Sequence, residues 1–279
     1  MLLEMQSLTM GSNSFRGPAP LYHTLLAGDT RTGITLQTLH AEKFDHGVLL
    51  DQTPYPGIEI PEAESCTEPQ LVDFVGPLGA EMLVSGIRNR VFVQPVREVG
   101  WYKRGVEGDQ SARLGDLSGE GGSSPTLRHA PKITTEDRHI KWGSWTAEDI
   151  MRRYRVLGPL WNTMPMEHNG VLMEKRVIFS SLVVLAAEPD QGSVDQPGLP
   201  YAERDISKSA PENPYFFGGL KVKASDGSLI GIGELKIEGS TKKDGIAAAV
   251  QAGLFSSVPV YVAEDGENRE FRQFREALR

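Results

Sequence analysis

Few residues of this sequence stand in patterns that by themselves indicate catalysis or metal binding. The single cysteine, Cys66, excludes a disulfide within the chain and any cysteine-based zinc site. His129 and His139 lack the cysteines or carboxylates of a metal framework, so we expect no metal site. Gly231 and Gly233 lie inside a strand pattern rather than at a strand-to-helix turn, so they do not indicate a nucleotide-binding loop.

The segment around Asp45 is the first candidate site. Asp45 precedes His46 and Gly47, and an Asp-x-Gly sequence is common in turns, so the residues alone permit a purely structural aspartate. His46 would point to the other side of an extended segment, which argues against it as a catalytic base beside Asp45.

Two groups of basic residues are candidate nucleic-acid contacts, although the net charge of −8 argues against a bulk electrostatic nucleic-acid binder. By composition alone, a solvated charged face is the favoured explanation for them. The first group is Arg152, Arg153, Arg155, Lys175 and Arg176, and the second is Lys221, Lys223, Lys242 and Lys243.

The second group has local features that would suit an RNA backbone. Lys221 and Lys223 share one face of a predicted strand, as in a groove that contacts phosphates. Lys242 and Lys243 are expected to begin a helix, where exposed amides favour phosphate binding. We expect Trp142, Trp145 and Trp161 to be core residues rather than base-stacking platforms.

The elements that position these residues divide into two parts. Residues 105–128 are rich in glycine, serine and charge, so we expect a flexible linker between a first part, 1–104, and a second, 129–279. The first part shows a helix over Leu21–Ala27, strands over Gly33–Leu39 and His46–Gln52, and an amphipathic helix from Thr67 to about Ile87.

The second part is β-rich. Thr146 and Asp149 form a capping-box pattern before a helix, and strands are predicted over Gly170–Val177 and Ser180–Ala186. A hairpin is predicted from Leu220 to Ile237 around Asp226-Gly227. About five strands in a module of this size suggest a small OB-type barrel. No apolar run approaches the ~18 residues of a membrane span.

Three stretches together resemble the methionyl-tRNA formyltransferase family. The first begins at Arg16-Gly17-Pro18-Ala19-Pro20 and continues through Leu25-Leu26-Ala27-Gly28-Asp29 to Thr32-Gly33-Ile34-Thr35. The second is Phe44-Asp45-His46-Gly47-Val48-Leu49-Leu50, and the third is His129-Ala130-Pro131-Lys132-Ile133-Thr134 with Ile140-Lys141-Trp142 behind it. Their order and spacing match along most of residues 13–252.

The resemblance implies an α/β fold, with an incomplete Rossmann-like formyltransferase domain followed by an OB-like C-terminal domain that contacts tRNA. It implies transfer of a formyl group from 10-formyltetrahydrofolate to the amino group of initiator methionyl-tRNA for translation initiation, without a metal. Asp45 matches the catalytic aspartate, which orients a histidine and an ordered water. Members work in mitochondria or in the bacterial cytoplasm, and for this chain we expect the mitochondrial matrix and a monomer.

The sequence departs from the family before Arg16. Counting back without gaps, Gln6 stands at the position of the catalytic asparagine and Leu8 at that of the catalytic histidine. Leu8 cannot donate a proton, and Met10-Gly11-Ser12-Asn13 replaces the folate loop. We therefore expect an N-terminally truncated member. The alternatives are a catalytically inactive paralogue that binds tRNA or a protein, and a by-product without function.

Overall fold

The computed structural model describes residues 3–7, 13–39, 47–99, 126–168, 171–185, 197–198, 200–204, 217–245 and 248–249. The chain divides into two compact units, Met1–Thr134 and Thr135–Arg279. The predicted linker, 105–128, lies mostly outside the described residues, and His129 belongs by its contacts to the first unit rather than the second.

The first unit contains seven strands and two helices among its described residues. In chain order the elements are β1 (Leu3–Ser7), β2 (Asn13–Arg16), α1 (Pro20–Ala27), β3 (Arg31–Thr32), β4 (Ile34–Thr38), β5 (Leu49–Gln52), β6 (Ile58–Glu59), α2 (Glu68–Arg88) and β7 (Thr126–His129). Helix α1 ends at Gly28, whose φ of 73° is left-handed. Both helices and strands β4 and β5 confirm the sequence predictions.

The main sheet of the first unit has the order β1-β4-β5 and is antiparallel throughout. Strands β4 and β5 are joined by a connection too short for a crossover, which makes an antiparallel pair the accessible arrangement. The parallel order of a Rossmann-like sheet is therefore not found in this sheet, although the unit does combine helices with strands. Leu36, Leu25 and Leu71 are among its fully buried side chains.

The described elements of the second unit are six strands, one α-helix and one 3₁₀ helix. They are a 3₁₀ helix (Glu136–Arg138), α3 (Ala147–Leu157), β8 (Leu160–His168), β9 (Val171–Val184), β10 (Pro200–Arg204), β11 (Phe217–Lys223), β12 (Leu229–Ile237) and β13 (Lys243–Asp244). The sheet has the order β10-β11-β12-β9-β8, and β13 pairs with β12. The predicted hairpin and the capping box of α3 are confirmed.

The described strand path of this sheet does not close on itself, because no pairing joins β10 to β8 among the described residues. A closed OB-type barrel therefore stays a prediction. One hydrophobic core serves the whole sheet, and its fully buried members include Phe179, Leu160, Ile230 and Leu235. No helix in the described part of the chain combines the length and the apolar character that crossing a membrane requires.

A paired kink shifts the phase of the two central strands. The buried hydrophobic residues of β9 are Val177 and Phe179 before Ser181 but Leu182 after it. Strand β12 makes the same shift at Gly233, from Ile230 and Ile232 to Leu235 and Ile237. Ser181 has a φ of 55°, which is strained for a residue with a side chain. The kink lets both halves of each strand face one core.

Side chains around the kink form hydrogen bonds with the Ser181 backbone amide, which the kink removes from the strand ladder, and with the Ser181 hydroxyl. The Ser181 amide donates to Tyr154 Oη at 2.8 Å, and its hydroxyl donates to Glu234 Oε2 at 3.0 Å. Lys242 Nζ lies 2.6 Å from the same oxygen. The prediction of two separate strands over Gly170–Val177 and Ser180–Ala186 is wrong, because the phase shift lies inside one continuous strand.

Candidate functional site

Asp45 lies outside the described residues, but the strand ends that flank its segment are described. The Thr38 amide donates to the Val48 carbonyl at 2.9 Å, and the Val48 amide donates to Thr38 Oγ1 at 2.8 Å. Gly47 packs so closely against the Thr38 carbonyl that a Cβ would overlap it. These contacts hold the chain two residues from Asp45, at the end of the β4–β5 pair.

Buried polar side chains lie on the strands behind this end. Gln52 Nε2 donates to Thr35 Oγ1 at 3.3 Å, and Thr53 Oγ1 accepts from the Ile34 amide at 2.9 Å. All four residues are buried. Since buried polar groups need partners, this network fixes how β4 and β5 pair.

The two positions that depart from the family catalytic pattern lie near this sheet in sequence. Gln6 is in β1 and pairs with Thr35 of β4, whereas Leu8 lies outside the described residues. The segment Met10-Gly11-Ser12, at the position of the folate loop, also lies outside them. Because Asp45 and Leu8 lie outside the described residues, the structure does not test whether the predicted catalytic positions lie together.

Asp29 is an acidic group that sequence reasoning did not single out as a site residue. Burial raises its pKa to about 6, and the nearby Arg128 guanidinium partly opposes that rise. Its Oδ2 is buried and has no hydrogen-bond partner among the described residues. Asp29 follows Gly28 at the end of α1, and its burial depends on the packing around that helix end. The composition of the sequence gave no indication that this carboxyl group would be buried.

The three arginines predicted to bind tRNA on α3 are half-buried, and two make defined internal contacts. Arg152 is paired with Glu148 one turn away. Arg153 lies over the Trp145 ring, 4.2 Å from its centroid, and donates to the Asp137 carbonyl at 3.3 Å. Burial lowers the pKa of Arg153, and Asp137 and Asp149 counteract this.

The four predicted lysines are not one uniform exposed patch. Lys221 is only 7% exposed, which does not fit the open groove predicted for it, and Lys223 on the same strand is half-buried. Lys243 is in strand β13, and Lys242 just before it bonds Glu234, so the prediction that they begin a helix is wrong. The hydrogen bonds from Lys242 and Ser181 hold the pKa of Glu234 below its usual value.

An aromatic stack on the second unit involves residues whose proximity the sequence does not reveal. The His139 ring stacks on Trp161, with centroids 4.2 Å apart and planes at 10°. The Arg176 guanidinium carbon lies 3.9 Å from the Trp161 ring centroid. Trp161 is half-buried rather than a core residue, whereas Trp142 is in the core as predicted. The stack depends on the pairing of β8 with β9, which is a long-range property.

The described residues contain no group of three histidine, cysteine or acidic side chains that could hold a metal ion.

The chain is similar to mitochondrial methionyl-tRNA formyltransferases. The Saccharomyces cerevisiae enzyme is 29% identical over 206 residues, which are 66% of this chain and 45% of the relative. The Homo sapiens enzyme is 32% identical over 153 residues, which are 55% of this chain and 32% of the relative. In both cases the match spans less than half of the relative's length. No family model matches the chain.

Solved structures give a weaker likeness. HypX from Aquifex aeolicus in complex with tetrahydrofolic acid is 14% identical, and the alignment covers 95% of this chain and 37% of that one with a TM-score of 0.44. A methionyl-tRNA formyltransferase from Clostridium thermocellum is 12% identical, with 65% and 62% covered and a TM-score of 0.37. These TM-scores are too low to establish a shared fold.

Proposed function

We propose that this protein is a formyltransferase that moves the formyl group of 10-formyltetrahydrofolate to the amino group of initiator methionyl-tRNA, in the mitochondrial matrix. The observation that carries the proposal is the sequence similarity of about 30% over more than half of the chain to methionyl-tRNA formyltransferases. The mitochondrial relatives among these matches support the location.

The reaction needs three things from the protein. The amine nitrogen attacks the formyl carbon and a tetrahedral oxyanion forms; the bond from that carbon to the folate nitrogen then breaks, and the proton lost by the attacking nitrogen is passed to the leaving folate nitrogen. A hydrogen-bond donor must hold the oxyanion, a polar group must accept the proton, and the tRNA must be held in register. We assign Asp45 to the proton transfer, which it would assist by orienting an ordered water.

The tRNA would lie against the second unit. Its half-buried cations Arg152, Arg153, Arg155 and Lys223 and its exposed Lys243 supply positive charge for phosphates. Lys221, Lys242 and Arg152 are weaker candidates, because Lys221 is buried in the sheet, Lys242 already bonds Glu234 and Arg152 pairs with Glu148. Phosphate contacts of this kind position a nucleic acid rather than read its sequence.

The test of this proposal is formyl transfer by the purified full chain, with 10-formyltetrahydrofolate and charged initiator tRNA, measured as formylmethionine released from the tRNA. An active chain should lose about 10²-fold or more in rate with Asp45→Asn, because proton transfer contributes on that order. Asp73→Asn on the exposed face of α2 is the matched control and should keep full activity. Equal rates for Asp45→Asn and Asp73→Asn would contradict the role of Asp45.

A second candidate function is a tRNA- or protein-binding module without catalysis. The observation that favours it is Leu8 at the position of the catalytic histidine, since removing one oxyanion donor alone costs about 10²–10³ in rate. In that case the chain binds tRNA with an affinity that falls steeply with salt, and it forms no formylmethionine. Absence of both turnover and salt-dependent tRNA binding would reject the enzyme and the tRNA-binding module.

A further inference from the structure

The Arg176 guanidinium packs against one aromatic ring, the Trp161 indole, and no described acidic side chain pairs with it. Its guanidinium carbon is 3.9 Å from the Trp161 ring centroid, and His139 stacks on the same indole at 4.2 Å. Arg176 is on β9, whereas His139 lies beside the other edge of β8. The arginine and the histidine therefore approach Trp161 from opposite sides of its strand, and the indole is enclosed between them.

The central ring of the stack is itself fixed. Trp161 Nε1 donates to the Thr135 carbonyl at 2.8 Å, and the Trp161 carbonyl accepts from the Ile140 amide at 2.9 Å. His139 Nδ1 lies 3.0 Å from Glu136 Oε1. Because the ring cannot rotate without breaking these contacts, the Arg176 guanidinium lies against an indole of defined position.

The positive charge of Arg176 is not neutralised within the described residues, where no carboxylate forms an ion pair with its side chain. Glu238 is the acidic residue nearest to it along the paired strands, but the Glu238 carboxylate accepts from the Arg176 backbone amide at 3.2 Å. The Nε atom is covered and has no described acceptor. The terminal N–H groups of a stacked guanidinium remain able to bind an oxyanion in two-point fashion.

We propose that Arg176, oriented by Trp161 and His139, is a phosphate-binding residue of the second unit. A guanidinium that packs against an indole keeps terminal N–H groups for other partners, and two of these N–H groups match two oxygens of one phosphate group. If the proposed function holds, the phosphate belongs to the tRNA backbone, so the assignment of tRNA as the partner rests on that function. Free phosphate has the same chemistry and is the other source to be distinguished.

The first experiment measures the binding of fluorescently labelled initiator tRNA to the full chain by anisotropy. Arg176→Lys keeps the charge but loses the planar fork, and we expect about tenfold weaker binding. Trp161→Phe, which leaves the charge but shrinks the ring, should weaken binding by a smaller factor. Arg88→Lys makes the same substitution at the end of α2 and should leave the affinity unchanged within about twofold. Melting curves verify that each variant is folded.

The second experiment titrates inorganic phosphate into the ¹⁵N-labelled chain and follows the arginine Nε–H signals by NMR. The signal of Arg176 is the one that disappears in Arg176→Lys, and we expect it to shift with phosphate. A shift without any tRNA binding by the wild type supports the site with free phosphate as its ligand, and rejects tRNA as the partner. If the wild type binds tRNA, Arg176→Lys binds as well as Arg88→Lys and phosphate moves no Arg176 signal, the inference is overturned while the proposed function stands.

Discussion

Asp29 shows how far a residue's chemistry depends on its surroundings rather than on its type. Its carboxyl group has a pKa of about 6 because burial disfavours the charged form more strongly than Arg128 favours it. The sequence places Asp29 after Gly28 at the end of a helix, which is an ordinary position for an aspartate. Only the packing around that end makes its charge unfavourable near neutral pH.

The raised pKa of Asp29 predicts a pH-dependent loss of stability. In the unfolded chain Asp29 ionises near its usual pKa of 3.8 and in the folded chain near 6, so stability falls as pH rises between these values. Asp29→Asn should therefore stabilise the protein above pH 6, by about 1–2 kcal/mol after allowance for solvent screening, and have little effect at pH 4.

Thermal unfolding at pH 4 and pH 7.5 checks this prediction, with Asp73→Asn as the control for the loss of one exposed carboxylate. An equal effect of Asp29→Asn at both pH values would show that Asp29 does not titrate between them.

At the level of elements, β9 and β12 share a kink that lets both halves of each strand face the core of the second unit. It places Ser181 at a positive φ and brings Gly233 opposite it, where a Cβ on residue 233 would lie 2.9 Å from the Ser181 Cβ. Tyr154 of α3 satisfies the Ser181 amide that leaves the ladder. The kink is thus supported from a helix as well as from the neighbouring strand.

Gly233→Ala should destabilise the protein by about 1–3 kcal/mol, because the added methyl group meets Ser181 and forces the strands apart. Gly143→Ala is the matched control, since nothing lies within 4 Å of a Cβ there, and it should change stability by less than about 0.5 kcal/mol. The measurement is the melting temperature.

Ser181→Gly separates the two parts of this explanation. A glycine at 181 relieves the backbone strain and removes the Cβ that the new alanine meets, so it should restore part of the stability lost in Gly233→Ala. If the double variant melts no higher than Gly233→Ala alone, contact between these two residues is not the cause of the loss.

At the level of the whole molecule, the second unit has a core of its own. The core cluster of its sheet and helix α3 consists entirely of residues from Ile140 onward. The first unit buries a separate set that includes Leu25, Leu36 and Leu71. Two cores in one chain imply two units that can unfold in separate steps.

We expect a fragment of residues 135–279 to unfold cooperatively by itself, because every described member of its core cluster belongs to the second unit. The check is thermal unfolding followed by far- and near-ultraviolet circular dichroism. A fragment that keeps far-ultraviolet signal but lacks near-ultraviolet signal and a sharp transition would be a molten globule, and would show that the second unit depends on the first.

The sequence by itself determined the local elements. Helices α1, α2 and α3 and the β11–β12 hairpin follow from apolar spacing, capping residues and turn glycines, which act within a few residues of one another. The likeness to methionyl-tRNA formyltransferases was also readable from ordered short stretches. Asp45 and all but the last three residues of the predicted linker lie outside the described residues, so those predictions stay open.

The tertiary structure decided everything that depends on which strands meet. The kink at Ser181, the burial of Lys221 and the stack of His139, Trp161 and Arg176 all follow from the register of β8, β9, β11 and β12. Residues far apart in sequence become neighbours there, and a local periodicity carries no information about such pairings. The same basic residues could equally have formed a uniform exposed face; the register decides which of them are buried, paired or left with an uncompensated charge.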